Sequence, residues 1–138
     1  MSEHGPLTTP LPTKRLIATY VACLATAAGG WTLVTLVGPW PGSVTLQGLL
    51  ALAITALVSL AGLLLIRPWR TRPVLAWGSL LIALSMGRVV ASLGACLLLY
   101  FAARLPASPL LLGALSGLML VLIGETTVTA RVFRKMSR

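Results

Sequence analysis

The amino-acid sequence predicts an all-α integral membrane protein with four transmembrane helices in two antiparallel hairpins. Only 9% of the residues are charged and 57% are hydrophobic, whereas a soluble domain carries about 25% charged residues. Polar side chains are too few to cover a water-facing surface, and the mean hydropathy of +0.96 agrees. Four apolar stretches each reach the roughly 20 residues that cross a bilayer as a helix, the form that satisfies every backbone group in lipid.

The breaks between the apolar stretches place the four helices. Proline and glycine together stop a helix, so GPWPG, RPWRTRP and RLPASP mark the three turns. The segment 1–13 holds three prolines and no apolar period, which predicts a disordered cytoplasmic tail. One four-helix transmembrane domain is expected over 14–135, with helices at about 16–37, 43–66, 74–103 and 109–131.

The first predicted helix also has features of a signal peptide. It has a basic start, a short apolar centre and a small-residue site at Ala25-Thr26-Ala27. The apolar character nevertheless continues to Val37, which is too long for a cleaved signal. We therefore expect a retained membrane-spanning helix, and signal cleavage is the alternative.

The basic residues predict the orientation in the membrane. The net charge is +9, from eleven Lys and Arg against Glu3 and Glu125. The basic residues separate the apolar runs and do not line one helix face together with aromatic residues. Nucleic-acid binding is therefore not expected. With four crossings only Arg104 falls on the far side, and the positive-inside rule makes the richer side, with both termini, cytoplasmic. Nine cations lie on that side: Lys14, Arg15, Arg67, Arg70, Arg72, Arg131, Arg134, Lys135 and Arg138.

Arg88 is the only charged residue inside the predicted third helix, and Glu125 is the only acid inside the fourth. Sixteen residues separate Arg88 from Arg104, and sixteen separate Pro109 from Glu125, about 24 Å along a helix in each case. Helices joined by a short loop pack antiparallel. The two charges are therefore expected at one depth as a bidentate ion pair, because either charge alone in hydrocarbon would cost several kcal/mol.

Hydroxyl side chains are expected around this pair. Ser85 and Ser92 lie three residues before and four residues after Arg88, so they share its face and can hydrogen-bond to it. Thr126 and Thr127, the two residues after Glu125, are candidates to assist it. Two interpretations stay open: the pair is a structural contact that fixes the register of the hairpin, or one member also engages a partner's charge or a permeating ion.

Small residues predict close helix packing beside the pair. Gly87, Ala91 and Ala95 form a small-xxx-small row on the third helix, and Gly113 and Gly117 form a GxxxG on the fourth. We expect these residues to let the two helices approach each other.

The chain lacks the residue sets that covalent or hydrolytic catalysis uses. It has no aspartate, and its one histidine, His4, lies in the polar tail, so no Ser/His/Asp or Cys/His set can form. Cys23 and Cys96 are far apart, with no CxxC or Cys/His cluster. No enzymatic activity, cofactor or metal is therefore expected.

The architecture resembles the ATP synthase protein I family, small bacterial membrane proteins of four helices with both ends in the cytoplasm. The likeness runs from KRLIATYVAC to ARVFRK. The likeness is clearest in MGRVVASLGACLLLYFAARLPASPLLLGALSGLMLVL. This segment is similar to the family's third helix, which has a glycine and a basic residue near its middle. It is also similar to the proline-containing turn and the Leu-rich fourth helix that follow in the family. Arg88 stands at the family's basic position. The family's acid on helix three is replaced here by Ser85, Met86 or Gly87.

The resemblance implies a bacterial inner-membrane accessory protein that helps assemble the rotor ring of a membrane ATP synthase; a role in Mg²⁺ supply has also been proposed for the family. Two other functions stay open. One is a small ion or metabolite transporter or channel subunit that uses Arg88 and Glu125, with a homo-oligomer building the pathway. The other is a membrane anchor whose basic face binds anionic lipid or a soluble partner.

Overall fold

Four long helices make up the structure, a computed structural model that describes residues 8–9 and 12–136. The helices are α1 (Thr13–Val37), α2 (Gly42–Ile66), α3 (Val74–Ala103) and α4 (Ala107–Met136). Each is long and apolar enough to cross a membrane, with a mean hydropathy between 1.6 and 2.7 over its most apolar part. The predicted all-α fold with four transmembrane helices is confirmed, and the chain is a multi-pass membrane protein.

Two of the helices end at an arginine in the left-handed conformation. Arg67 follows α2 with a φ of 53°, and Arg104 follows α3 with a φ of 52°. Glycine is the usual residue at such a cap, because the left-handed conformation costs other residues about 1–2 kcal/mol. Pro68 and Pro106 come shortly after, and a proline ring prevents the helix from resuming. Both turns thus combine a helix stop with a cation.

The segment before α1 contains a short strand. Thr8–Thr9 (β1) pairs antiparallel with Arg72–Pro73 (β2) in the turn before α3. The prediction of a disordered tail is therefore wrong at Thr8 and Thr9. It is also wrong at Thr13, which already belongs to α1. Residues 1–7 and 10–11 of that prediction lie outside the described residues. The extended residue before a proline can join a sheet edge, which the apolar pattern does not reveal. The strand pair holds the segment before α1 beside the α2–α3 turn.

Two apolar cores lie towards opposite ends of the bundle. We call the end where α1 begins and α2 ends the basic end, because Lys14, Arg15, Arg67, Arg70 and Arg72 lie there. The core at the basic end consists of Leu16, Tyr20, Leu63, Ile66, Trp77 and Val121. The core at the opposite end consists of Ala51, Cys96, Leu110 and Ala114. Along α2 and α3, the residues between the two cores include four buried polar side chains: Thr55, Ser59, Arg88 and Ser92.

Helix α4 is the centre of the bundle. It packs more extensively against α2 and α1 than against α3, its own hairpin partner. A β-carbon at Gly113 would lie 2.7 Å from the carbonyl oxygen of Gly48 and 2.9 Å from its Cα, and a β-carbon at Gly117 would lie 2.8 Å from Leu52 Cδ2. The predicted close packing of Gly113 and Gly117 is therefore confirmed, but their neighbour is α2 and not α3.

Two of the small residues predicted to pack on α3 face away from the other helices. Gly87 and Ala91 are exposed, and a β-carbon at Gly87 would have no neighbour within 4 Å. The helical repeat explains the error: Arg88 faces the bundle centre, which turns positions 87 and 91 about 100° and 60° around the helix towards the outside. The prediction that Gly87 and Ala91 bring α3 close to α4 is therefore wrong.

Candidate functional site

Arg88 and Glu125 form the predicted ion pair between α3 and α4. Arg88 Nη1 donates to Glu125 Oε2 at 2.6 Å, and the two side chains are only 3% and 4% exposed. The contact is not bidentate as predicted, because Glu125 Oε1 has no hydrogen-bond partner among the described residues. The carboxylate therefore keeps one acceptor oxygen for another donor.

Tyr20 of α1 is a second partner of Arg88, and the sequence reasoning missed it. Arg88 Nη2 donates to Tyr20 Oη at 2.5 Å, and the guanidinium carbon lies 4.8 Å from the centre of the tyrosine ring. A cation over an aromatic ring is attracted by the ring quadrupole. A buried tyrosine hydroxyl usually needs a partner, which is a usable signal, but the sequence does not tell which helix faces α1.

A glycine of α2 leaves space beside the arginine, and the side chain of Leu84 fills it. A β-carbon at Gly62 would lie 2.5 Å from Leu84 Cδ1 and 3.6 Å from Arg88 Nε. Helix α2 thus contributes space, α1 contributes Tyr20 and α4 contributes Glu125. The sequence pattern indicated the pair of charges, whereas the structure has all four helices meeting at Arg88.

The serines predicted to bind Arg88 do not do so. Ser92 is fully buried, but its Oγ and Arg88 Nε both lack a partner in the described part of the chain, as does Ser59 Oγ on α2. Ser85 lies beside Arg88 in the wall of a groove and makes no hydrogen bond to it. Sharing a helix face was therefore not enough, because the long arginine side chain extends towards α1 and α4 and away from its neighbours on α3.

The threonines predicted to assist Glu125 instead bond to their own helix backbone. Thr126 Oγ1 donates to the carbonyls of Leu122 at 2.9 Å and Ile123 at 3.0 Å, and Thr127 Oγ1 donates to the carbonyl of Ile123 at 2.7 Å. A threonine hydroxyl in a helix can reach the carbonyl three or four residues earlier. That local bond leaves neither hydroxyl for the carboxylate.

A groove of about 670 Å³ runs between α3 and α4 and reaches the ion pair. Arg88 and Glu125 line it, together with Ser85 and Thr126. Its other walls are mainly aliphatic, and several of these side chains are exposed on the outside of the bundle, where lipid lies: Ile82, Met86, Met119 and Leu122. The groove therefore opens sideways into the membrane, and the charged residues among its described lining are confined to the level of the ion pair.

The described residues offer little for a metal ion. They contain no group of three or more His, Cys, Asp or Glu side chains, and Cys23 and Cys96 are free thiols on different helices. What the site can do is bind: it offers N–H donors on Arg88 and an acceptor oxygen on Glu125.

The comparisons with known proteins do not assign a family. No protein-family model matches the chain, and no curated protein and no solved structure is detectably similar to it. The resemblance to the ATP synthase protein I family stays a prediction from the sequence.

Proposed function

We propose that the chain is a non-enzymatic accessory protein of a membrane complex, and that it helps assemble the rotor ring of a bacterial ATP synthase. The observation that carries the proposal is the groove between α3 and α4, which connects the lipid side of the bundle with Arg88 and Glu125. Charged side chains are costly to bury in a membrane, so a buried pair such as this one is usually kept for a function.

The arginine has binding capacity left. A guanidinium has five N–H donors, and the described contacts of Arg88 use one on Nη1 and one on Nη2. Charge-assisted hydrogen bonds to a carboxyl group are among the strong ones. Arg88 can therefore keep Glu125 and Tyr20 and still engage a side chain of another protein.

A rotor subunit fits this site because it carries a carboxyl group in the middle of the membrane. A helix seated in the groove would bring that group to the level of Arg88 while its apolar side chains contact the aliphatic walls. A binding role needs no catalytic residues, in keeping with the proposal of a non-enzyme.

The proposed location is the bacterial inner membrane, with both termini in the cytoplasm. The positive-inside rule supports this orientation, because nine of the eleven Lys and Arg of the sequence fall on the side of the membrane where α1 begins when the chain crosses it four times. The pairing of β1 with β2 also supports it, since it keeps the segment before α1 beside the basic α2–α3 turn.

Photo-crosslinking tests the proposal. A photoreactive amino acid at Met119, which is 60% exposed and lines the groove, should crosslink to a membrane subunit of the ATP synthase in native membranes. The same amino acid at Leu57, 68% exposed on α2 and outside the groove, is the matched control. Deletion of the gene should also lower the amount of assembled ring. Crosslinks of equal yield from both positions, or an unchanged ring, would contradict the proposal.

Transport is the second candidate, and the buried polar atoms of Ser59, Ser92, Arg88 and Glu125 are what favour it. The core at the opposite end argues against a continuous path, since Ala51, Cys96, Leu110 and Ala114 are packed together there. Liposomes containing the purified chain should show no ion flux above that of empty liposomes. A flux that disappears in Glu125→Gln would favour transport over assembly.

A further inference from the structure

We infer that the α3–α4 groove recognises a transmembrane helix through a neutral side chain that both donates and accepts hydrogen bonds, such as a protonated carboxyl or a carboxamide. This inference rests on the proposed function, because it names the chemical state in which a partner's group binds. It concerns Glu125 Oε1 and the remaining N–H groups of Arg88.

The charge of the site determines the charge of its ligand. Arg88 and Glu125 cancel each other, and the described part of the chain places no other charged residue in the groove lining. An ionised partner group would add an uncompensated charge to a site whose two side chains are at most 4% exposed, and burying such a charge is costly. A neutral group avoids that cost.

The unpartnered atoms determine the hydrogen bonds. Glu125 Oε1 is a buried acceptor without a donor in the described residues, and the Nη1 and Nη2 groups of Arg88 each use only one of their two N–H donors there. A carboxylate has no donor for Oε1, and an ammonium has no acceptor for an arginine N–H. A protonated carboxyl and a carboxamide each supply at least one donor and one acceptor, so they complement the site.

The depth of the site selects a membrane-spanning helix as the occupant. Glu125 lies seven residues before Val132, where the apolar span of α4 ends, which is about 10 Å along the helix. A lipid headgroup stays at the interface, whereas a side chain of a spanning helix reaches this depth with its backbone groups satisfied. The groove follows α4 from Leu115 to Ala130, about four helical turns, so an apolar helix can lie along it.

Binding of single-span model peptides to the full-length protein in phosphatidylcholine vesicles at pH 8.5 tests the inference. Three Leu/Ala peptides differ only at one position at the depth of Glu125, which holds Gln, Glu or Leu. Energy transfer between labelled peptide and labelled protein gives the affinity. We expect the Gln peptide to bind about tenfold more tightly than the Leu peptide, the range of one or two hydrogen bonds in a membrane. The Glu peptide should lose affinity when the pH is raised from 6.0 to 9.5, because ionisation of its carboxyl group adds an uncompensated charge to the site.

The variant Glu125→Gln should reverse the preference. It removes the negative charge and leaves Arg88 without a counter-ion, so the Glu peptide should then bind more tightly than the Gln peptide. Equal binding of the Gln and Leu peptides to the native chain would overturn the inference, as would an affinity for the Glu peptide that increases with pH.

A variant that fills the groove checks where the peptide binds. Ser85→Phe places a ring in the groove wall and should abolish the preference for Gln, whereas Ala83→Phe, an exposed residue two positions away and outside the lining, should leave it unchanged. An unchanged preference in Ser85→Phe would place binding elsewhere and contradict the inference.

The peptide-binding test and the crosslinking test of the proposed function can fail independently of each other. A Gln preference together with an unaffected rotor ring would contradict the partner and keep the recognition chemistry. Crosslinking to the ring together with equal binding of all three peptides would support the partner and contradict the recognition chemistry.

Discussion

Arg88 is bound from two sides, by a carboxylate and by an aromatic alcohol. The 2.6 Å contact with Glu125 neutralises its charge, and the 2.5 Å contact with Tyr20 satisfies a second N–H. Replacing a complete buried ion pair with apolar residues is often neutral for stability, whereas removing one partner is not. The pair can therefore be separated experimentally into its effects on folding and on binding.

Charge exchange tests the ion pair. Arg88→Glu and Glu125→Arg should each destabilise the protein by about 3–5 kcal/mol, because each leaves uncompensated buried charges. The double exchange should restore most of the stability, measured as the free energy of unfolding in an SDS titration of the purified protein. Failure of the double variant to recover would show that the two charges do not depend on each other.

An apolar replacement separates folding from function. The double variant Arg88→Met with Glu125→Leu should lose little more than the about 1–2 kcal/mol of the Tyr20 hydrogen bond in an SDS titration, because no charge is left unpaired. It should nevertheless lose the crosslink from Met119 to the partner. Retention of the crosslink would make the pair purely structural.

The hydroxyl of Tyr20 has a separate, smaller effect. Tyr20→Phe removes the hydrogen bond to Arg88 but keeps the ring beneath the guanidinium, so we expect a loss of about 1–2 kcal/mol in the SDS titration. Tyr20→Leu should cost more, since the cation–π contact is lost as well. Tyr100→Phe is the matched control, because Tyr100 is 43% exposed and its change should stay within about 0.5 kcal/mol. Equal effects at the two tyrosines would contradict the assigned role.

Residue spacing predicted the pair of charges but not its surroundings. Arg88 and Glu125 could be matched because both are rare and lie equally far from a shared turn. Tyr20, Gly62 and Ser59 could not, since distance along the chain carries no information on which helix stands beside which. Ser92 was assigned by its helix face, but the long arginine side chain extends away from it. Thr126 was assigned because it adjoins Glu125, but its hydroxyl bonds to the backbone of its own helix.

At the scale of the helices, the crossing of α2 and α4 brings two helix backbones into contact at Gly113 and Gly48. Gly113→Ala should destabilise the protein by about 1–3 kcal/mol, because the added carbon would lie 2.7 Å from a backbone oxygen of α2 that cannot move aside easily. Gly87→Ala is the control on α3: it has no neighbour within 4 Å, so the higher helix propensity of alanine should leave stability equal or raised. SDS titration of both variants gives the comparison. A loss of stability at both positions would mean that Gly113 is not specially constrained.

Helix positions followed from hydropathy and from the Pro/Gly breaks, because the bilayer fixes the length of an apolar span. The arrangement of the helices side by side in the membrane did not follow from hydropathy or from these breaks. The hairpin rule correctly put α3 beside α4, but it did not indicate that α4 would pack more extensively against α1 and α2. Small-residue rows exist on several faces of this chain, and Gly113 and Gly87 look alike in the sequence although one is buried and the other exposed.

For the whole molecule, the orientation in the membrane is directly measurable. In a background where Cys23 and Cys96 are serines, Trp40→Cys lies at the opposite end and Arg70→Cys at the basic end; both native side chains are exposed. A membrane-impermeant maleimide should label position 40 in intact cells and position 70 only after the membrane is broken. Labelling of position 70 in intact cells would reverse the proposed topology.

The order in which the chain is synthesised gives the central position of α4 a further consequence. Glu125 follows Arg88 by 37 positions, so at about 5–20 residues per second the ribosome adds it roughly 2–7 s later. Residues leave the ribosome in the order in which they are made, so Arg88 reaches the membrane first, and α3 then carries a cation whose counter-ion has not yet arrived. Tyr20, 68 positions earlier in the chain than Arg88, has by then already been translated, and we expect it to hold the guanidinium until the last helix arrives.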